Sequence, residues 1–122
     1  MFVAAYWWKV HPGKEAQFRP AWRRGTALIQ DKYGSLGSRL HRDTAVDADG
    51  LTRFIGIAEW PDRATWQAAF DAKMVYDDPE ARAMFVDAVA ETPPGNRPAF
   101  TMTVTDDLLT LRGPAASAAM GG

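Results

Sequence analysis

Two strand-like segments of this chain carry apolar side chains on both of their faces. Successive side chains of a strand point to opposite sides of a sheet, so residues 2–10 divide into two apolar sets. These sets are Val3, Ala5 and Trp7 on one side and Phe2, Ala4, Tyr6 and Trp8 on the other. Residues 51–60 repeat the pattern, with Ile55 and Ile57 opposite Phe54 and Trp60. Helices of the same chain cover one face, and a second copy is the simplest cover for the other. We therefore predict a homodimer with its sheets face to face.

Strand and helix signals follow one another in the order βαββαβ, with the second helical segment split in two. Apolar residues recur every three or four positions across residues 14–33, as in an amphipathic helix, and alternate with threonines across residues 99–105, as in a strand. The full set is strands at 2–10, 36–42, 51–60 and 99–105 and helices at 14–33, 62–73 and 78–91. This order predicts an α+β, ferredoxin-like fold with a four-stranded antiparallel sheet covered by helices on one face. Residues 1–112 are predicted to form one domain, followed by a flexible tail at 113–122.

Turn and capping residues mark the ends of these elements. Asp49 and Gly50 favour a hairpin return between the second and third strands. Gly34 is typical of a helix C-terminus, and Asp62 and Asp78 are typical of helix N-caps. Pro20 conflicts with the first helix because it removes a backbone hydrogen bond, so we expect a kink or a late start there.

Composition excludes several classes of protein. The 14 basic and 15 acidic side chains give a formal net charge of −1, which provides no broad field to attract nucleic acid or an anionic membrane. The chain has no cysteine, which excludes disulfides, thiolate metal sites and a cysteine nucleophile. No segment approaches the roughly 20 apolar residues of a membrane span, and the first residues lack a basic signal-peptide region. We predict a cytoplasmic protein with no nucleic-acid or membrane partner.

Motifs for common cofactors are missing from the sequence. There is no G-x-G-x-x-G, no phosphate-binding P-loop and no G-x-S-x-G. His11 and His41 are the only imidazoles, and the adjacent acid pairs are better explained as a helix cap and a strand end. We predict neither a bound cofactor nor a dedicated metal site.

The space between the sheet and its helices is the best candidate for a binding site. Tyr6, Trp8 and Trp60 share a face with the small residues Gly56 and Ala58, a combination that favours an aromatic-walled cavity. We expect Trp66 of the second helix and Arg39 or His41 of the second strand to close its mouth. The alternative is that these aromatic residues only fill the core and an interface.

Several segments of the chain resemble the antibiotic biosynthesis monooxygenase family of dimeric α+β barrels. The resemblance covers residues 2–105 and is carried by residues 10–15, 36–40, the Asp49-Gly50 turn, and Ala58-Glu59-Trp60-Pro61-Asp62 with Trp66 after it. It implies a dimeric α/β barrel and a monooxygenase that oxidises a small aromatic substrate without a cofactor. Such a site needs a base, an oxyanion donor and a dry pocket. We assign His41 as the base, Tyr6 or Arg39 as the donor, and Trp8, Trp60 and Trp66 as the substrate-binding walls.

The sequence also departs from the family. Its quinone-forming members pair an amide with a tryptophan four positions later, whereas this chain has a carboxylate, Asp62, before Trp66. Its haem-degrading members use a helical histidine after the strands, and no histidine follows His41 here, which argues against haem breakdown. A second function therefore stays open, that of a noncatalytic dimeric module that binds an apolar small molecule or a protein partner.

Overall fold

The chain folds into an antiparallel sheet with three α-helices, and the computed structural model describes residues 1–109. The strands and helices are β1 (Phe2–Val10), α1 (Glu15–Tyr33), β2 (Gly37–Arg42), β3 (Thr52–Trp60), α2 (Arg63–Asp71), α3 (Pro79–Ala88), β4 (Val89–Glu91) and β5 (Phe100–Thr103). The strand order is β2-β3-β1, and both β4 and β5 pair with the other side of β1. The predicted ferredoxin-like α+β fold is confirmed. The predicted tail at 113–122 lies outside the described residues.

The sheet has five strands where the sequence predicted four. Residues 89–91 were expected to end the third helix, but α3 stops at Ala88 and the chain continues as β4. Val89 has extended backbone angles and pairs with Val10, and the amide of His11 donates to the carbonyl of Ala88 at 2.9 Å. The free edge of β1 offers these backbone groups hydrogen-bond partners, and a β-branched valine suits a strand, so pairing with the sheet replaces the last helical turn.

The helix α1 runs without a break through Pro20. It begins at Glu15, so the late start expected from Pro20 does not occur. Phe18 and Ala21 are buried on its inner face, and this burial stabilises the helix against the loss of one backbone hydrogen bond. Gly34 ends it with a left-handed φ of 81°, as predicted.

Both predicted aspartate caps are present. Asp62 accepts from the amide and the hydroxyl of Thr65, each at 2.8 Å, and begins α2. Asp78 accepts from the amide of Ala81 at 3.1 Å and begins α3. A carboxylate at this position satisfies amides that have no helical partner and interacts favourably with the helix dipole.

The strand register gives the sheet two different faces. Tyr6 lies opposite Gly56, and Ala4 lies opposite Ala58, on the face packed against the helices. The other face is made by Val3, Ala5 and Trp7 of β1, Ile55 and Ile57 of β3, and Phe100 and Met102 of β5. We call this second set the outer face. Phe100 is 68% exposed and Met102 is 44% exposed, so within the described chain the helices cover only one side of the sheet.

Two buried clusters lie between the sheet and the helices. One contains Phe2, Trp60 and Trp66, and Tyr6 packs against it. The other contains Phe18 and Phe54, with Trp8 packed against it. The middle of β1, between Tyr6 and Trp8, therefore lies where the two clusters meet. Within residues 1–109, no helix has the length and apolarity to cross a membrane.

Candidate functional site

A cavity of about 120 Å³ lies between the inner sheet face and the helices, at the junction of the two clusters. Its sheet wall is formed by Tyr6 and Trp8 of β1 and by Gly56, Ala58 and Trp60 of β3. Residues of α1, α3 and the 3₁₀ turn Met74–Tyr76 form most of the remaining walls, and Ser35, Ser38, Asp78 and Asn96 complete them. Small residues on one strand next to aromatic residues on its neighbour leave this space unfilled.

Gly56 fixes the position of Trp8 in this wall. A Cβ atom at Gly56 would lie 2.8 Å from two carbons of the Trp8 ring, closer than unbonded carbons can approach. The ring of Trp8 stacks on Tyr6 with 5.9 Å between centroids and meets Phe85 edge-on at 5.4 Å. The absence of a side chain at Gly56 therefore allows a large flat ring to lie along the cavity.

Tyr6 supplies a hydroxyl group to the cavity. The indole N–H of Trp66 donates to the Tyr6 oxygen at 3.2 Å, and an indole nitrogen only donates. The Tyr6 proton therefore points away from Trp66, and no acceptor for it is present within residues 1–109. Burial raises the pKa of the Tyr6 hydroxyl above its ordinary value, and the bond from Trp66 offsets part of this shift. At neutral pH Tyr6 is a hydrogen-bond donor and not a base.

Trp66 acts on the cavity through Tyr6. Its ring is buried between Phe2 and Phe70, at centroid distances of 5.3 and 5.5 Å, and it is not among the lining residues. Asp62, four residues earlier, is engaged as the cap of α2 and its hydrogen bonds lower its pKa, the bond from the Thr65 amide most. The Asp62 carboxylate, at the position where the quinone-forming members of the family have an amide, therefore acts as the N-cap of α2.

Arg82 is a charged side chain in the cavity wall that the sequence analysis missed. Its guanidinium Nη2 donates to Asn96 Oδ1 at 2.6 Å, and its Cζ lies 5.2 Å and 5.5 Å from the ring centroids of Tyr76 and Phe85. Within residues 1–109 it makes no ion pair, and its buried Nε has no hydrogen-bond partner. A sequence signal was available, because Ala81, Phe85 and Ala88 define an inward face of α3 on which an arginine is unexpected.

Asp78 is the one carboxylate among the described residues that line the cavity. It accepts from Arg24 Nε at 2.6 Å and from Arg24 Nη2 at 3.0 Å, which ties the start of α3 to α1. The hydrogen bond from the Ala81 amide, and then the bond from Arg24, lower the pKa of Asp78. Arg24 also pairs with Glu80 at 3.2 Å, whereas Arg82 is the charged group of the cavity wall that makes no ion pair within residues 1–109.

Arg39 and His41 lie on the other side of the sheet. They pair with Ile57 and Ile55, which face away from Gly56 and the helices. His41 is exposed, and its Nδ1 donates to the carbonyl of Ile55 at 3.1 Å. The structure therefore brings Tyr6, Trp8 and Trp60 together but places neither Arg39 nor His41 in or at the mouth of the cavity. Their roles as donor and base stay predictions without a contact to this cavity.

Trp60 contributes a second unpartnered donor. Its ring is 1% exposed and lines the cavity, and its buried indole N–H has no acceptor in the described part of the chain. A buried donor without an acceptor costs about 1–3 kcal/mol. No group of three or more histidine, aspartate or glutamate side chains within residues 1–109 is placed to hold a metal ion.

The fold and the cavity define a ferredoxin-like α+β protein with an aromatic pocket between its sheet and helices. The chain belongs to the antibiotic biosynthesis monooxygenase family, whose sequence profile matches residues 1–84. The resemblance seen in the sequence is confirmed. Comparison with curated proteins gives no significant match.

Several solved structures share this fold. A variant of SnoaB from Streptomyces nogalater, described as a cofactor-independent oxygenase, is 17% identical with a TM-score of 0.60, over 88% of this chain and 95% of that one. Rv0793 from Mycobacterium tuberculosis is 10% identical with a TM-score of 0.57, over 88% and 97%. A protein described as an antibiotic biosynthesis monooxygenase is 16% identical with a TM-score of 0.56, over 87% and 100%. At these identities the likeness is one of fold.

Proposed function

We propose that this protein is a cofactor-independent monooxygenase that acts on a small aromatic substrate with an acidic phenol or an enolisable ketone. The observation that carries this proposal is the presence of Arg82, a cation without a carboxylate partner in the described chain, in the wall of an aromatic cavity. Membership of the family supports the proposal, and so does the shared fold with a protein described as a cofactor-independent oxygenase.

The proposed chemistry uses electrons from the substrate. Loss of a proton from the phenol or enol to solvent gives an electron-rich anion, and dioxygen adds to its activated carbon, the methylene carbon of an anthrone or a ring C–H carbon of a naphthol. Loss of water from the resulting hydroperoxide leaves a carbonyl at that carbon. One oxygen atom enters the product, the other leaves as water with two hydrogens of the substrate, and the reaction balances without another reductant. Arg82 stabilises the anion and thereby lowers the pKa of the bound substrate, and the Tyr6 hydroxyl donates to the developing oxyanion.

The unpartnered donors of the cavity favour a ligand with oxygen acceptors. Trp60 Nε1 and Arg82 Nε are both buried and both belong to lining residues. Buried polar groups in native proteins are nearly always hydrogen-bonded. Neither atom has appreciable accessible surface, so a substrate oxygen that satisfies either donor requires a small shift of a neighbouring side chain.

The size of the cavity favours one enclosed aromatic ring. Its volume is about 120 Å³, similar to the engineered cavity of about 150 Å³ that binds benzene. The walls of Tyr6, Trp8 and Trp60 offer stacking partners for such a ring. A second or third fused ring would extend toward the solvent-facing mouth.

Oxygen uptake by the metal-free protein, measured with a panel of naphthols and anthrones, tests the proposal. We expect protein-dependent uptake that Arg82→Gln and Tyr6→Phe each reduce by at least about tenfold, about 1.4 kcal/mol of transition-state stabilisation. His41→Ala distinguishes a site that uses His41 as the base from a site that depends on Arg82 and Tyr6. Because His41 lies outside the cavity, we expect normal uptake in this variant. Loss of uptake in His41→Ala, with Arg82→Gln unaffected, would contradict the proposed site.

A second candidate function is ligand binding without turnover. The observation that favours it is that Asp78, the lining carboxylate, is ionised and held by Arg24, so the described cavity wall provides no free carboxylate or imidazole base. Quenching of tryptophan fluorescence by the same panel, without oxygen uptake, would support this alternative. Uptake that depends on Arg82 would exclude it.

We also propose that a second copy of the chain covers the outer face. Phe100 and Met102 expose apolar surface next to the partly buried Trp7, Ile55 and Ile57. Contiguous apolar surface of this kind usually marks an interface. The sheets of the two copies would then face each other, with each cavity on the side away from the interface. Sedimentation at micromolar concentration tests this arrangement, and a monomeric coefficient would contradict it.

A further inference from the structure

The guanidinium of Arg82 is held by a hydrogen-bonded chain that runs through three separate segments. Asn96 accepts from Arg82 Nη2 at 2.6 Å and donates through Nδ2 to the hydroxyl oxygen of Tyr76 at 3.0 Å. Arg82 belongs to α3, Tyr76 to the 3₁₀ turn Met74–Tyr76, and Asn96 to a second 3₁₀ turn, Pro94–Asn96, in the loop between β4 and β5. The amide orientation is fixed by chemistry, because a guanidinium only donates and therefore faces the amide oxygen.

Backbone geometry places Asn96 in this position. Gly95 and Asn96 have consecutive positive φ angles of 72° and 57°. Asparagine adopts this left-handed conformation at lower cost than most residues. The loop thus turns sharply enough to bring one polar side chain back onto the cavity wall, where Asn96 is the loop residue that lines it.

Tyr76 holds both members of the pair. Its hydroxyl accepts from Asn96, and its ring lies 5.2 Å from the Arg82 guanidinium carbon. The amide therefore fixes the direction of the guanidinium, and the ring contact holds it from a second side. Neither contact cancels its positive charge, because the amide and the phenol are neutral.

We propose that Asn96, supported by Tyr76, is the positioning residue that aims Arg82 at the ligand and makes the cavity selective for anionic over neutral aromatic ligands. This inference rests on the proposed function, since it assumes that Arg82 meets the ligand. A neutral acceptor is essential to it: a carboxylate at residue 96 would bind the same guanidinium more tightly but would neutralise it. The amide of Asn96 therefore fixes the position of the Arg82 guanidinium and leaves its positive charge intact.

The test compares two probes of nearly equal shape, 2-naphthoate and 2-naphthamide, by tryptophan quenching at pH 7 with Asn96→Asp and Tyr76→Phe variants. We expect the wild type to prefer the anion by at least about tenfold, or about 1.4 kcal/mol. Asn96→Asp should lose most of this preference with the affinity for the amide unchanged, although its new ion pair keeps the free energy of unfolding at or above the wild-type value. Tyr76→Phe should give a smaller loss, because the ring contact remains.

The outcomes separate this inference from the proposed function. The positioning role is overturned if the wild type binds both probes equally, or if Asn96→Asp keeps the full preference for the anion. Either result overturns it whether or not the protein consumes oxygen. A preference that Asn96→Asp abolishes supports the role, even when the wild type shows no oxygen uptake and the monooxygenase proposal fails. If Asn96→Asp or Tyr76→Phe weakens the binding of both probes equally, the residue has a merely structural role and the inference is overturned.

Discussion

The indole N–H of Trp66 donates a hydrogen bond of 3.2 Å to the hydroxyl oxygen of Tyr6 and joins α2 to the centre of β1. We predict that this bond couples the two residues in folding. In a double-mutant cycle of Tyr6→Phe, Trp66→Phe and the double variant, the free energies of unfolding in denaturant should show a coupling of about 1 kcal/mol. Additivity within about 0.3 kcal/mol, the usual result for independent sites, would contradict the bond.

Gly56→Ala should destabilise the protein by about 1–3 kcal/mol, the usual cost of overpacking. The new methyl group would meet the Trp8 ring at 2.8 Å and push it into the cavity. The matched control is Gly25→Ala in α1, where an added Cβ would have no atom within 4 Å. That change should stabilise the protein by up to about 1 kcal/mol, because alanine favours a helix. Denaturant unfolding measures both, and equal effects would contradict the argument.

Asp78→Asn should make stability less sensitive to acid. The pKa of Asp78 is lowered in the folded protein by the Ala81 amide and Arg24, so its ionised form favours folding. This contribution is complete above the unfolded pKa of about 3.9 and is lost as the pH falls through the folded pKa. Asparagine keeps the capping oxygen but has no charge to lose.

Denaturation midpoints between pH 7 and pH 3 measure this effect. The variant should be less stable than the wild type at pH 7, and the difference should shrink toward pH 3. Asp31→Asn is the control, since Asp31 is exposed on α1 and its side chain makes no hydrogen bond or ion pair with the described residues. A constant difference between wild type and Asp78→Asn across this range would contradict the assignment.

Phe100→Glu should convert the predicted dimer to a monomer. Phe100 is 68% exposed at the outer face, and a buried charge without a partner strongly opposes association. Val86→Glu is the control, because Val86 is 53% exposed on α3, which lies on the opposite side of the sheet. Sedimentation velocity at micromolar protein measures both variants. A Phe100→Glu protein that stays dimeric would place the interface elsewhere.

The fold could be predicted from the sequence because its signals are local. The Asp62 and Asp78 caps, the Gly34 helix end and the alternation of β1 each depend on a few neighbouring residues, and each is present in the structure. The exception is β4, whose residues have a helical pattern but pair with the edge of β1. That pairing joins positions about 80 residues apart along the chain, which no local pattern reports.

The sequence predicted the candidate site correctly only where the alternation of side chains along a strand was enough to assign a residue to one face of the sheet. In the observed register, even-numbered residues of β1 pair with even-numbered residues of β3, and these residues face the helices. Tyr6, Trp8 and Trp60 therefore lie together on the inner face. His41 was assigned to the same side without a known register for β2, and it lies on the opposite side. Arg82 and Asn96 meet through a loop with left-handed backbone angles, a tertiary contact that a single sequence does not encode in any short motif.

The two faces of the sheet have a consequence for how such a protein can diverge. Along β1, every second side chain faces the helices, with Tyr6 and Trp8 in the cavity wall, and the residues between them belong to the outer face. Under the proposed arrangement, a point change at Tyr6 or Trp8 alters ligand preference and leaves self-association intact, whereas a change at Ala5 or Trp7 does the reverse. Selection can therefore adjust chemistry and assembly independently through substitutions, while a single-residue insertion within β1 would damage both at once.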